Sequence, residues 1–288
     1  MKTLREYIRE AEEKKVAIGH FNISNLEGLH AIYNAAKKLN VPVVIGLSEG
    51  EEGAVGREEA VALIRALRER DNYPIFLNAD HHKTFESVKA CIDVGFDAVI
   101  IDGTKLSFEE NVKITKECVE YARVITKATG RDILVEAELG FIGEGSNIKE
   151  TIPAGAGILT KPEDAEKFVK LTGIDLFAPS VGSIHGLIKS GKPHINTELV
   201  AEIRKITGVP LVLHGGSGLR DVDFTGGIHA GISTVHINTE IRIAFVEGLK
   251  KSLTDSPGEV VPYKVSKPAQ DAVEKVVLER LKLFNHIK

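Results

Sequence analysis

Eight short, apolar, β-rich runs alternate with longer amphipathic ones along the 288 residues of this chain. That alternation predicts an α/β fold, a (β/α)8 TIM barrel with an extra N-terminal helix and an extra C-terminal helix. Two further observations agree. No Pro/Ser-rich linker or low-complexity segment divides the chain, so one barrel domain over residues 1–288 is expected. Polar residues also collect where the apolar runs end, as they do in barrels that carry an active site at the strand C-termini. A doubly wound open sheet competes, but it would need a glycine fingerprint after the first strand, which "GHFNISNLEG" does not supply.

The expected strands are Val16–Ile23, Pro42–Ser48, Pro74–Asp80 and Ala98–Asp102, followed by Asp132–Leu139, Leu176–Val181, Pro210–Gly215 and Ser233–Asn238. Each is short and almost continuously apolar, as parallel strands buried on both faces should be. Between them, "LEGLHAIYNAAKKL" places Leu26, Leu29, Ile32 and Ala36 at helical spacing. Ser107 with Glu110 three residues on is a capping-box signature. "PEDAEKFVKLTG" opens near Pro162 and closes on Gly173, the expected asymmetry of helix ends. The additional helices fall at Lys2–Glu13 and Gln270–Leu283.

Composition narrows the function classes. The chain is 43% hydrophobic and 27% charged with a net charge of −4, an ordinary globule with no global pull toward nucleic acid or anionic membrane. The charged start "MKTLREYIREAEEKK" does not read as a secretory leader, and no apolar run approaches a membrane helix, so a cytoplasmic location is expected. Cys91 and Cys118, far from any CxxC spacing, read as two buried thiols.

The stretch "NADHHKTFE" sets Asp80, His81 and His82 side by side where the third strand runs out. Neighbouring side chains on a strand face opposite ways, so the three cannot share one purpose. His81, His185 and His214 fall at the ends of strands three, six and seven and converge on one mouth. Three imidazoles with an open fourth position form a catalytic zinc arrangement; local hydrogen bonding of each ring is the plainer alternative. His20, His30, His194, His229 and His286 lack this convergence. Asp102 and Glu138, on neighbouring strand ends, could orient ligands, seat a metal or cap the following segment. "HGGSGL" opens a helix with small residues whose N–H groups could cradle a phosphate, and Asn238, Thr239, Gly186 and Lys189 add donors or charge nearby.

Together "NADHHKTFE", "GFDAVIIDG", "VEAELG", "HGLIK", "LVLHGGSGL" and "INTEIR" resemble the class II, zinc-dependent fructose-bisphosphate aldolases and their ketose-bisphosphate relatives, from about Lys14 to Phe284. The resemblance implies Zn2+ on His81, His185 and His214, with Asp102 and Glu138 taking a displaced or second metal. It implies Asp80 as the proton carrier of C3–C4 cleavage. Gly186, Lys189, Gly215, Ser217, Asn238 and Thr239 match positions that bind dihydroxyacetone phosphate, and Ser48 lies near substrate. It also suggests a homodimer or homotetramer and allows a monovalent cation. The sixth strand ends "APSV" without a lysine, which counts against Schiff-base chemistry.

Three departures limit the match. The family's "IGGxED" reads "IGEGSNIKE", leaving Glu144 or Glu150 as candidates for the loop acid. His236 stands where an Asn is usual and could donate to an enediolate. Gln270 stands where relatives carry Arg. The expected activity is reversible cleavage of a ketose 1,6-bisphosphate, with the fructose compound the default and tagatose-type or other phosphosugars next. A phosphosugar isomerase or epimerase, or a relative that binds metal and phosphate without turnover, are the competing readings.

Overall fold

A computed structural model describes residues 1–288 apart from 144, 154, 156, 157 and 192. Helix α1 (Leu4–Lys14) precedes β1 (Ile18–Asn22), α2 (Leu26–Leu39), β2 (Val43–Ser48), α3 (Glu49–Val55) and α4 (Arg57–Asp71). Then come β3 (Ile75–His82), α5 (Phe85–Val94), β4 (Ala98–Ile101), α6 (Phe108–Thr129), β5 (Leu134–Leu139), β6 (Ile148–Thr151) and α7 (Pro162–Thr172). The chain continues through β7 (Leu176–Pro179), β8 (Leu187–Ser190), α8 (Thr197–Thr207), β9 (Leu211–Leu213), α9 (Asp221–Ala230), β10 (Ile232–Ile237), α10 (Thr239–Asp255) and α11 (Pro262–Phe284). All strands but β6 and β8 close a parallel barrel in the order β1-β10-β9-β7-β5-β4-β3-β2. The expected (β/α)8 TIM barrel is the fold.

Alternation along each strand sorts the side chains. Odd partners such as Phe21, Ile45, Leu77 and Val135 join the layer between strands and helices. The inward set begins apolar: Ile18, Val44, Phe76, Ala98, Leu134, Leu176 and Val212 pack together at the N-terminal end, and Leu4, Ile8 and Ala11 of α1 seal them. Two residues further along, the same inward positions turn polar, as His20, Asn78 and Glu136; two further again stand Asn22, Ser48, Asp80 and Glu138. The barrel is therefore oil at one end and titratable at the other. Gly46 makes this possible locally, because a Cβ there would lie 2.3 Å from Cε1 of His20.

The extra helices are present. Thr3 and Glu6 form a capping box for α1, as Ser107 and Glu110 do for α6. Helix α11 is longer than expected, 23 residues, and buries Val273, Val277, Leu281 and Phe284. Each such side chain contributes roughly 1.5–3 kcal/mol of burial. A small parallel sheet of β6 and β8 was not foreseen. Its strands are mostly exposed, so they carry no apolar run to announce them. Both grow from loops that leave the C-terminal ends of β5 and β7, at the polar mouth.

Candidate functional site

Strand β3 runs on past Asp80 to His82, and His81 sits within it at φ 53°. A left-handed histidine is uncommon and breaks the strict alternation of the strand. The pairing with β4 shifts register between Ala79 and His82. Asp80 and His81 consequently both reach the mouth. His82, fully buried, turns outward, where Nδ1 meets Ser87 Oγ and Nε2 lies 3.5 Å from Glu52.

The three expected imidazoles meet. The ring of His81 is 4.8 Å from that of His185 and 4.7 Å from that of His214, centroid to centroid. Each ring has one nitrogen held by the protein. His185 Nδ1 donates to the carbonyl of Gly143 at 2.9 Å, and His214 Nε2 faces Glu136 Oε1 at 2.7 Å. His81 Nδ1 lies 3.2 Å from Asp102 Oδ2 and 3.1 Å from Glu138 Oε1. The other nitrogens are thereby aimed inward, and His81 Nε2 and His214 Nδ1 stand 3.1 Å apart. Glu138 joins the same cluster, with ligand atoms of all four residues within 4.8 Å of one another. Asp102 is not among them. It stands behind His81 and accepts from the N–H and hydroxyl of Thr104, so it orients a ring rather than reaching the centre.

Electrostatics favour a cation here. Burial would push the rings of His81 and His214 toward neutrality. For His81 the carboxylates of Asp80, Glu138 and Asp102 outweigh burial and raise it well above its ordinary value; for His214 Glu138 and Glu136 outweigh burial and raise it above its ordinary value. Burial pushes the Glu138 carboxyl up to about 7 and lowers His185 well below its ordinary value. Glu138 Oε1 is a buried oxygen with no hydrogen-bond partner among the described residues. Inward imidazole nitrogens, an orphaned carboxylate oxygen and oriented far nitrogens are the donor set and outer support of a divalent metal.

Asp80 is 4% exposed. Its Oδ2 accepts from Asn22 Nδ2 at 2.7 Å, whereas Oδ1 has no hydrogen-bond partner among the described residues and lies 3.5 Å from His236 Nδ1 and 3.8 Å from His81 Nε2. Burial would raise this carboxyl, but the His81, His236 and His20 rings hold it well below the usual carboxylate range. His236 is buried and stacks on His20 at 3.5 Å with planes 3° apart, and burial lowers it well below its ordinary value.

Two connected hollows meet at this point. One, about 30 Å3, is lined by Gly186, Gly215, Gly216, Ser217, Asn238 and Thr239 together with the histidines. Asn238 Oδ1 is buried there without a hydrogen-bond partner among the described residues. Gly215 has φ 64°, and a Cβ on it would lie 2.6 Å from the carbonyl carbon of Ile184 and 2.9 Å from the nitrogen of His185. The other, about 610 Å3, opens from Asp80, His81 and His185 past Ser48 and Asn238 to Lys83, Lys105 and Arg242. Its volume suits a small phosphorylated sugar.

Some expected residues are not brought in. Lys189 Nζ pairs with Glu150 Oε1 at 2.6 Å on β8 and β6, and both side chains are more than half exposed. Neither lines either hollow. The physical reason is the unforeseen small sheet, whose alternation turns them outward. Glu144 lies outside the described residues. Conversely, Glu136, Glu51, Arg242 and Ser146 were missed. Glu136 had a signal, since it lies two residues before Glu138 and so on the same face. Glu51, three residues after Ser48, looks in sequence only like a helix cap.

Comparison with known proteins bears on the whole chain. The family model described as "Fructose-bisphosphate aldolase class-II" matches residues 2–288. The "Fructose-bisphosphate aldolase" of Geobacillus stearothermophilus is 38% identical over 98% of this chain and 96% of its own. The "Probable fructose-bisphosphate aldolase" of Bacillus subtilis strain 168 is 36% identical over the same shares. Among solved structures, the YdjI aldolase of Escherichia coli K12 superposes with a TM-score of 0.81 at 29% identity, covering 98% of this chain and 96% of that one.

Proposed function

The chain belongs to the class II fructose-bisphosphate aldolase family, and from that premise we propose that it cleaves a ketose 1,6-bisphosphate reversibly. The default substrate is fructose 1,6-bisphosphate, giving dihydroxyacetone phosphate and an aldehyde phosphate. One domain over residues 1–288 carries the reaction. The observation that supports this reading most is the meeting of three inward imidazole nitrogens with an unpartnered Asp80 oxygen, beside a glycine-walled hollow.

His81, His185 and His214 would hold Zn2+, with Glu138 a further oxygen donor. When bound, the metal supplies Lewis acidity that draws charge from the ketone carbonyl. Asp80, fixed through Oδ2 by Asn22, presents Oδ1 to take the C4 hydroxyl proton as the C3–C4 bond breaks, and returns it in the reverse direction. The ketone-side phosphate sits against Gly186, Gly215, Ser217 and Thr239, which line the smaller hollow. The aldehyde half extends into the wider hollow, toward Arg242. Ser48 and His236 line the two hollows and complete the substrate walls. Lys189 would need to leave Glu150 to contribute charge.

The test couples triose phosphate release to a reductase. Cleavage that is lost on chelation and restored by zinc is expected, with no covalent adduct trapped by borohydride. A fully zinc-loaded protein that binds dihydroxyacetone phosphate yet cleaves no ketose bisphosphate would sink this reading.

A further inference from the structure

Glu51 belongs to no part of the mechanism above, yet it is a carboxylate only 6% exposed, joined to Asp80 through the amide of Asn22, which donates to both. Its Oε2 accepts from the Ser48 N–H at 2.9 Å, the Ser48 hydroxyl at 2.8 Å and Asn22 Nδ2 at 2.8 Å. Its Oε1 accepts from Arg242 Nη2 at 2.6 Å. All four partners are donors, so both oxygens must accept, and a neutral amide would turn an NH2 group onto one of them.

Arg242 is the one guanidinium lining the wide hollow among the described residues, and its side chain is 43% exposed. It lies where the far end of a sugar anchored in the glycine hollow would arrive. An isolated Arg there would favour a terminal phosphate strongly over a hydroxyl. Glu51 alters that balance. A buried negative charge in contact with the guanidinium repels the same phosphate from only a few ångströms further off, and near a protein surface such opposed terms are of similar size. A terminal hydroxyl is indifferent to this cancellation.

We propose that Glu51 is a specificity-determining residue: by sharing Arg242 it holds down the preference for phosphate over hydroxyl at the far end of the aldehyde, so that unphosphorylated aldehydes are competent partners. This inference rests on the aldolase reading of the same site. Through Asn22, Glu51 also supports Asp80, and that effect acts on both aldehydes alike. The discriminating quantity is therefore a ratio, in which shared losses of turnover cancel.

The experiment runs the zinc-loaded full chain in the condensation direction, with dihydroxyacetone phosphate and either D-glyceraldehyde 3-phosphate or D-glyceraldehyde. The ratio of kcat/KM for the two aldehydes is measured for the native chain, Glu51→Ala, Arg242→Ala and the double variant. Glu51→Ala is expected to raise the ratio about tenfold or more in favour of the phosphorylated aldehyde. Arg242→Ala lowers it, and on the Arg242→Ala background the Glu51 change loses its effect, since the two act through one contact. A ratio unchanged or lowered by Glu51→Ala overturns the proposal, the latter making Glu51 a clamp that presents Arg242 to phosphate. Should Glu51→Ala fail to fold, Glu51→Gln is read by the same criteria. Absence of product with either aldehyde in the native chain overturns the aldolase reading and this inference with it, which separates the two failures.

Discussion

Glu136 offers a test in which metal binding and folding come apart. It is 2% exposed, and its Oε1 lies 2.7 Å from Nε2 of His214, which is itself 1% exposed. Glu136→Ala removes the acceptor and leaves a buried imidazole N–H unpaired, at a cost of about 1–3 kcal/mol. That cost is present with and without metal, so it appears in the stability of the metal-free protein rather than in affinity. What affects affinity is the loss of ring orientation and of the negative charge that makes His214 a better donor. Removing such a partner typically weakens metal binding 10–100-fold, or about 1.4–2.7 kcal/mol. Zinc Kd is read by competition with a chromophoric chelator, and stability by thermal melting of chelated protein. Both should change, and Glu136→Gln, which keeps an acceptor but not the charge, should fall between. A zinc Kd within about twofold of native, with stability lost as stated, would refute the argument and leave Glu136 a purely structural partner.

Asp80→Ala should lower turnover by roughly 10²–10⁴-fold while bound zinc remains stoichiometric; near-native turnover would remove Asp80 from the proton transfer. Gly215→Ala forces a side chain into φ 64° and against the Ile184–His185 peptide, at a cost of at least about 1–2 kcal/mol from the left-handed backbone alone. Because the displaced peptide carries His185, one of the proposed ligands, KM for the phosphorylated substrate should rise and zinc retention fall together; a change in KM alone would localise the effect to the phosphate. Surrounding carboxylates raise His81 well above its ordinary value, which favours the protonated ring without metal, and that proton must leave for the ring to become a ligand. Titration calorimetry in buffers of different ionisation enthalpy should detect proton release on zinc binding at pH 7, with affinity rising as pH rises. Zinc uptake with no proton released would contradict that protonation state.

The order of elements was legible because it is written in local periodicity. Eight apolar runs, helix caps at Ser107 and Gly173, and polar residues at strand ends all follow from neighbours a few positions apart. The convergence of His81, His185 and His214 followed from one further rule, that strand ends of a parallel barrel share a mouth. Which nitrogen of each ring faces inward was not legible, because Gly143, Glu136 and Asp102 settle it from other strands and loops. The left-handed turn at His81, which sends Asp80 and His81 to the same side, arises where β3 slips register against β4. Lys189 was assigned to the site, and Glu150 was one of two candidates for the loop acid, from their place in the chain, but the pairing of β6 with β8 turns them outward. Glu51 and Arg242 are 191 residues apart and meet only when the barrel closes between β1 and β10. Local sequence sets which backbone forms and which face it buries; the direction of a polar side chain at a strand end is set by whatever donor or charge the rest of the fold brings against it.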